Sequence, residues 1–234
     1  MSAQLSIPAR FNGPPNSGNG GYSCGILAAH ISGAAKVRLH VPPPLDTDLE
    51  LKNNEDGSVA MHHGDTLVGS GMATDLTLDC PTPPTLEEAR DARSRSALYI
   101  EHQLADCFVC GTNRDPADGL CLHPGPVADW SLLACEWQPT SDLLDAKGNV
   151  REEIIWSALD CPGYNGCYGN ETVISLLGEL SCRILSDVPG DETLIVYCWP
   201  LGRDGRKGWG GAALANQQGE VLAYSQSLWI ELKK

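Results

Sequence analysis

The sequence predicts an α+β chain in which two long antiparallel sheets each wrap around a central helix. Two observations carry that prediction. Each half of the chain opens on a glycine-rich segment that lacks strand alternation, Asn19 to Ile31 in the first and Cys161 to Tyr168 in the second. Each such segment is then followed by runs in which apolar and polar residues alternate with the period of a half-buried strand. One early helix in front of several long strands is the order of a helix held inside its own sheet. Its appearance twice points to an internal duplication, argued from the order of elements rather than from matched letters. Composition divides the chain into a unit over 1–78, a connector over 79–130 and a second unit over 131–234.

In the first unit, Asn12 to Gly21 is loop chemistry, rich in Gly, Pro, Asn and Ser. Tyr22 to Ile31 follows as a short buried helix, with Ile26, Ala29 and His30 spaced as one face and Gly33 as its stop. Val37, Leu39 and Val41 alternate with Lys36, Arg38 and His40 as a strand that Pro42-Pro43-Pro44 ends. Leu49 and Leu51 mark a second strand, Asp56-Gly57 a hairpin turn, Val59 and Met61 the return, and Gly64-Asp65 the turn into Thr66 to Met72. In the second unit Leu133, Cys135 and Trp137 share a strand face. Pro162 suits the first turn of a helix, whereas Gly163, Gly166 and Gly169 weaken it and demand tertiary support. Ile174, Leu176, Leu180, Cys182 and Ile184 are expected on one strand face. Thr193 to Leu201 is an apolar strand, Asp204-Gly205 a hairpin turn, and Leu222, Tyr224, Leu228, Ile230 and Leu232 the buried face of the last strand.

Composition narrows the function. The 234 residues are 42% hydrophobic and 20% charged, the makeup of a folded chain. The net charge of −14 argues against nucleic acid as a partner, because phosphate binding needs clustered Lys and Arg. No apolar run approaches the ~18 residues of a membrane span, and Met1 to Arg10 has no secretory apolar core. The 10 cysteines sit mostly among aliphatic residues, as in Cys182-Arg183-Ile184-Leu185, which suits buried thiols in a reducing cytoplasm. Cys107-x-x-Cys110 invites a zinc reading with Cys121 and His123, but Cys121-Leu122-His123 is too closely spaced for a usual second pair, and no metal is expected. His62, His63 and Asp65 resemble ligands, yet adjacent strand residues face opposite sides, which suits a surface hairpin better.

Phe11-Asn12-Gly13-Pro14-Pro15-Asn16-Ser17-Gly18-Asn19-Gly20-Gly21-Tyr22 resembles the helix entry of hotdog-fold acyl-CoA thioesterase-like proteins. Cys107-Phe108-Val109-Cys110-Gly111, Asp118-Gly119-Leu120 and Ala158-Leu159-Asp160-Cys161-Pro162-Gly163 look like the same group. The resemblance covers nearly the whole chain as a tandem, or double, hotdog. It implies hydrolysis of an acyl-CoA-type thioester with no metal or redox cofactor, CoA entering only as part of the substrate. Hotdog domains also host acyl binders and hydratases or dehydratases, and these remain the alternatives.

Thioester hydrolysis needs a group that polarises the carbonyl and a base or nucleophile. Asn19-Gly20-Gly21, with Tyr22 behind them, and Gly163 in the second unit are placed to offer helix N-terminal amides to a carbonyl; the same residues could merely cap a helix. Asp160-Cys161-Pro162-Gly163 resembles the aspartate motif of one hotdog thioesterase class, which makes Asp160 the candidate carboxylate, against its alternative as an N-cap. The helix position that another class fills with an acid falls on Ala28, leaving His30 as the nearest polar group and as the base of a hydratase. Asn165 could orient water or satisfy a turn. Arg203 and Arg206, beside Lys207, form a basic hairpin tip that could hold CoA phosphates. A duplicated chain can pair its own sheet edges, with further homo-oligomerisation optional.

Overall fold

The chain's turn residues act where their chemistry directs. Gly57 and Gly205 take positive φ, +80° and +57°, and each reverses the chain between two strands. In the computed structural model, which describes residues 2–233, the elements run β1 (Ser2–Leu5), α1 (Gly20–Ala28), β2 (Ala35–Leu39), β3 (Leu49–Asn53), β4 (Val59–His63), β5 (Thr66–Ala73) and α2 (Leu86–Arg93). They continue as β6 (Gly125–Pro126), β7 (Leu133–Trp137), α3 (Glu152–Ala158), α4 (Asp160–Tyr168), β8 (Ser175–Ile184), β9 (Leu194–Asp204), β10 (Lys207–Ala215) and β11 (Val221–Glu231).

The two expected sheets are one continuous 11-stranded antiparallel sheet, ordered β1-β3-β4-β5-β2-β8-β11-β10-β9-β7-β6. The order from β1 to β2 is mirrored from β7 to β8. The strand that follows each half's glycine-rich helix, β2 or β8, lies at the centre, and the two pair from Ala35 opposite Cys182 to Arg38 opposite Glu179. Helix α1 lies against β2, β4 and β5, and α4 against β9, β10 and β11. Among the described residues no helix is long and apolar enough to cross a membrane.

Glycine sets how closely the helices approach. Helix α1 crosses α3 through Gly21 and Gly25, where a Cβ would stand 2.5 Å from the Trp156 carbonyl oxygen and 2.5 Å from Glu153 Cα, respectively. Helix α4 meets the sheet through Gly163, against Ser227 and Gly210, and through Gly166, against the backbone of Trp199. This contact supplies the tertiary support that a helix of such poor propensity needs. Pro162 cannot donate to the carbonyl of Ala158, so α3 and α4 are separate helices broken at Leu159, rather than one run.

Two expected strand faces are corrected. In β8, Leu177 pairs with Trp229 and Glu179 with Leu228, so Gly178 is an extra residue that shifts the alternation. Ile174 and Leu176 therefore lie exposed, while Leu180 and Cys182 are buried. In β11 the residues turned toward α4 are Ala223, Ser225, Ser227 and Trp229: the Ser225 hydroxyl donates to the Leu159 carbonyl, and a Cβ at Gly163 would strike Ser227. Small residues are needed there, which hides that face from a hydrophobic pattern. Tyr224 points to the opposite face, where with Tyr197, Trp199 and Ala213 it is covered by Leu76 and Ala89. The connector thus carries a helix, α2, that packs on the back of the second half. Its start is fixed by Thr85 and Glu88, each accepting the other's backbone N–H.

The α4–sheet contact yields a test. A Cβ on Gly210 would stand 1.9 Å from the Gly163 carbonyl oxygen, backbone against backbone. Gly210→Ala is expected to destabilise the fold by about 1–3 kcal/mol or more in urea denaturation. An unchanged midpoint would contradict this packing.

Candidate active site

The entry to α1 is a loop built by its own turns and by the connector. Asn19 N–H donates to the Phe11 carbonyl (2.7 Å) and Gly13 N–H to that of Ser17 (2.9 Å), closing the loop on itself. Phe108 N–H donates to the Asn12 carbonyl at 2.8 Å, and Arg114 reaches the Asn12 side chain. Three of the four short motifs of the sequence, at 11–22, 107–111 and 118–120, are therefore one assembly, with Arg10 Nε donating to the Asp118 carbonyl at 3.0 Å.

Asn19 caps α1: its Oδ1 accepts from Tyr22 N–H at 2.9 Å. Its Nδ2 donates to Asp160 Oδ2 at 3.0 Å, and Gly21 N–H donates to that same oxygen at 2.8 Å. Asp160 caps nothing in its own helix. It belongs to the second half and closes the N-terminus of the first half's helix, where the helix dipole favours an anion. The carboxylate is buried, 2% exposed, and its Oδ1 has no hydrogen-bond partner. Burial pushes its pKa up to about 7, against the lowering pull of the Gly21 and Asn19 hydrogen bonds.

Beside Asp160 a cleft of about 360 Å³ opens between the two halves. Asn19, Gly20 and Asp160 lie at its wall, and Leu39, Pro43, Leu177 and Trp229 make it apolar. The lining residues Val41, Leu176 and Leu232 are exposed apolar side chains. The Gly20 amide, the first of α1, has no protein acceptor among the described residues and sits on the same wall. A small apolar cavity with a few convergent polar groups is the usual form of a ligand site.

No family model and no curated protein matches the chain. Solved structures do match over its whole length. The tesB protein of Mycobacterium avium subs paratuberculosis is 10% identical with a TM-score of 0.64, over 99% of this chain and 93% of that one. Acyl-CoA thioesterase II TesB2 from Mycobacterium marinum is 10% identical with a TM-score of 0.64, over 100% and 93%. A protein of unknown function from Alicyclobacillus acidocaldarius, described as having a hot dog fold, is 9% identical with a TM-score of 0.54, over 100% and 94%. This chain has the hotdog fold.

Within that hotdog architecture the sequence candidates separate. Asp160, Asn19 and Gly20 converge at the cleft, and Gly21 stands behind them, against α3, with its N–H on Asp160. Gly163 is not among them: it faces Ser227 and Gly210, so its missing side chain serves packing. Tyr22 is buried, stacked on Phe11 at 4.0 Å, and burial pushes its hydroxyl up to about 12. His30 lies exposed beyond the far end of α1, as does Ala29; the buried residues of that helix include Cys24, Leu27 and Ala28 instead. Asn165 bonds back to the Cys161 carbonyl (3.0 Å) and lines a neighbouring cleft with Leu98, His102 and Tyr164. Arg203 is held by Glu171 and the Cys167 carbonyl and stacks over Tyr168, and Arg206 donates to the Glu231 carbonyl; neither lines either of these two clefts.

Cys121 and His123 do not complete a set with Cys107 and Cys110. The Cys121 thiol faces the Arg114 carbonyl, and His123 bonds Tyr99, its pKa pushed down to about 4 by burial. The third thiol near Cys107 and Cys110 is Cys161. His62, His63 and Asp65 form no such cluster among the described residues. Sequence reasoning missed Cys161 as their neighbour, and also the apolar wall from Leu39 to Pro43. The only signal for the first was that Cys161 follows Asp160 directly.

Asn19 has two separable tasks. Asn19→Ser keeps a capping oxygen and loses the donor to Asp160, whereas Asn19→Ala loses both. In urea denaturation Asn19→Ala is expected to be about 1 kcal/mol less stable than Asn19→Ser. Equal stabilities would remove the capping role.

Proposed function

We propose that the chain is a double hotdog that hydrolyses an acyl-CoA-type thioester at the seam between its halves. The units over 1–78 and 131–234 each hold one helix against their sheet, with 79–130 as connector, and the mirrored strand order supports an internal duplication. Paired internally in this way, the chain mimics a dimer, and further self-association is optional. The reading takes the acyl group into the apolar cleft and needs no membrane or nucleic-acid partner. The reducing cytoplasm suits its free thiols.

The observation that carries the reading is the buried carboxylate of Asp160, whose Oδ1 has no hydrogen-bond partner, in a residue that lines the same cleft as Gly20 and its uncommitted amide. The thioester carbonyl oxygen accepts from Gly20 N–H at the positive end of α1, where charge builds as the carbon becomes tetrahedral. Asp160 takes a proton from water as the water oxygen bonds to the carbonyl carbon. The C–S bond then breaks, the proton passes to the leaving sulfur, and a free acid and a thiol result. Asn19 and Gly21 fix Asp160 through Oδ2 and leave Oδ1 without a partner. A hydratase based on His30 is not favoured, because His30 is remote from the cleft.

Asp160→Asn keeps the size of the side chain and an acceptor for Gly21 N–H but removes the base. With a panel of acyl-CoA substrates assayed for thiol release, its turnover is expected to fall by about 10²–10⁴. Acyl-CoA binding, measured by calorimetry, is expected to persist. Full activity of the variant would assign Asp160 to structure alone. Binding without thiol release by the wild type would make the chain an acyl-CoA binder.

A further inference from the structure

We propose that Cys107, Cys110 and Cys161 form a three-thiolate site for a zinc ion, tying the connector to the first turn of α4. This is independent of the hydrolase reading. All three sulfurs lie within 4.8 Å of one another, and those of Cys107 and Cys161 are 3.7 Å apart. Tetrahedral zinc with Zn–S bonds of about 2.3 Å holds its sulfurs about 3.8 Å apart.

The backbone is built for the task. In Cys107-Phe108-Val109-Cys110-Gly111 the two cysteines stand on one tight turn of the connector. Gly111 N–H closes the turn on the Cys107 carbonyl at 2.8 Å. Only glycine fits there, since a Cβ at Gly111 would stand 2.5 Å from the Cys107 carbonyl oxygen and 2.6 Å from that of Ala105. A pair of cysteines with two residues between them on such a turn is the usual half of a zinc site. Cysteines that merely fill space need no such turn. Cys161 is the second residue of α4, where the helix dipole favours a thiolate. Zinc displaces the three thiol protons and leaves the site with one net negative charge. Cys107 and Cys161 line the Asp160 cleft, and Cys110 and Cys161 the neighbouring one, so the site stands in the wall between them. Water from either cleft supplies the fourth ligand that three thiolates leave open.

The test uses the full chain, purified under reducing conditions, loaded with zinc and freed of excess metal. Metal analysis is expected to find about one zinc per chain. Cys161→Ser is expected to retain roughly tenfold less or lower still, and Cys80→Ser, on the back of the sheet, to retain the wild-type amount. Equal zinc in wild type and Cys161→Ser would overturn the proposal. Should Cys161→Ser fail to fold, cobalt titration of the wild type decides. A sulfur-to-cobalt charge-transfer band that zinc abolishes is expected, and its absence would equally overturn the site.

Discussion

The hydrogen bonds from Gly21 N–H and Asn19 Nδ2 to one oxygen of Asp160 hold the molecule's two halves in their working relation. Helix α1 has no acidic residue in its first turn and only Asn19 as a cap. Its remaining positive end is met by a carboxylate from the other half of the chain. Because Asp160 is buried and half satisfied, its position is costly unless α1, α3 and α4 stay in register. The cleft, the uncommitted Gly20 amide and the uncommitted Oδ1 all follow from that one alignment.

Close approach makes the alignment possible. Gly21 and Gly25 bring α1 onto α3, and Gly163, Gly166 and Gly210 sink α4 into the sheet, with contacts that a single methyl group would block. Pro162 breaks the chain between α3 and α4, so that Asp160 starts a helix and its side chain is free to reach α1. The central β2–β8 pairing fixes the two halves from below, and the cleft opens above it, where β2 gives way to Pro42 and Pro43 and β8 begins at Ser175. The connector is part of the same frame: Phe108 and Arg114 hold the α1 entry loop, while α2 covers the aromatic back of the second half.

The repeated order of helix and strands was legible, because alternation at Val37–Leu39, Leu49–Leu51 and Leu133–Trp137 and turns at Asp56-Gly57 and Asp204-Gly205 are local signals. The phase of β8 was not, since the bulge at Gly178 depends on its partner strand. Nor was the inner face of β11, where Ser225 and Ser227 are small to admit α4. Helix α2 carried a sequence signal in Thr85-x-x-Glu88 ahead of Ala89. At the site, the helix-entry chemistry pointed to Asn19, Gly20 and Gly21 and a motif resemblance to Asp160, but their union across 139 to 141 positions of chain is tertiary. Gly163, Arg203 and Arg206 each meet a neighbour that the sequence alone does not place beside them, whereas His30 lies exposed beyond the end of α1.

The most direct test of a seam site is a crystal structure with an acyl-CoA analogue in which a methylene replaces the thioester sulfur. The ketone oxygen is expected on Gly20 N–H beside Asp160, with the acyl chain between Leu39 and Leu177. An analogue seated instead in the neighbouring cleft by Asn165 and Tyr164, with the Asp160 wall free, would contradict it.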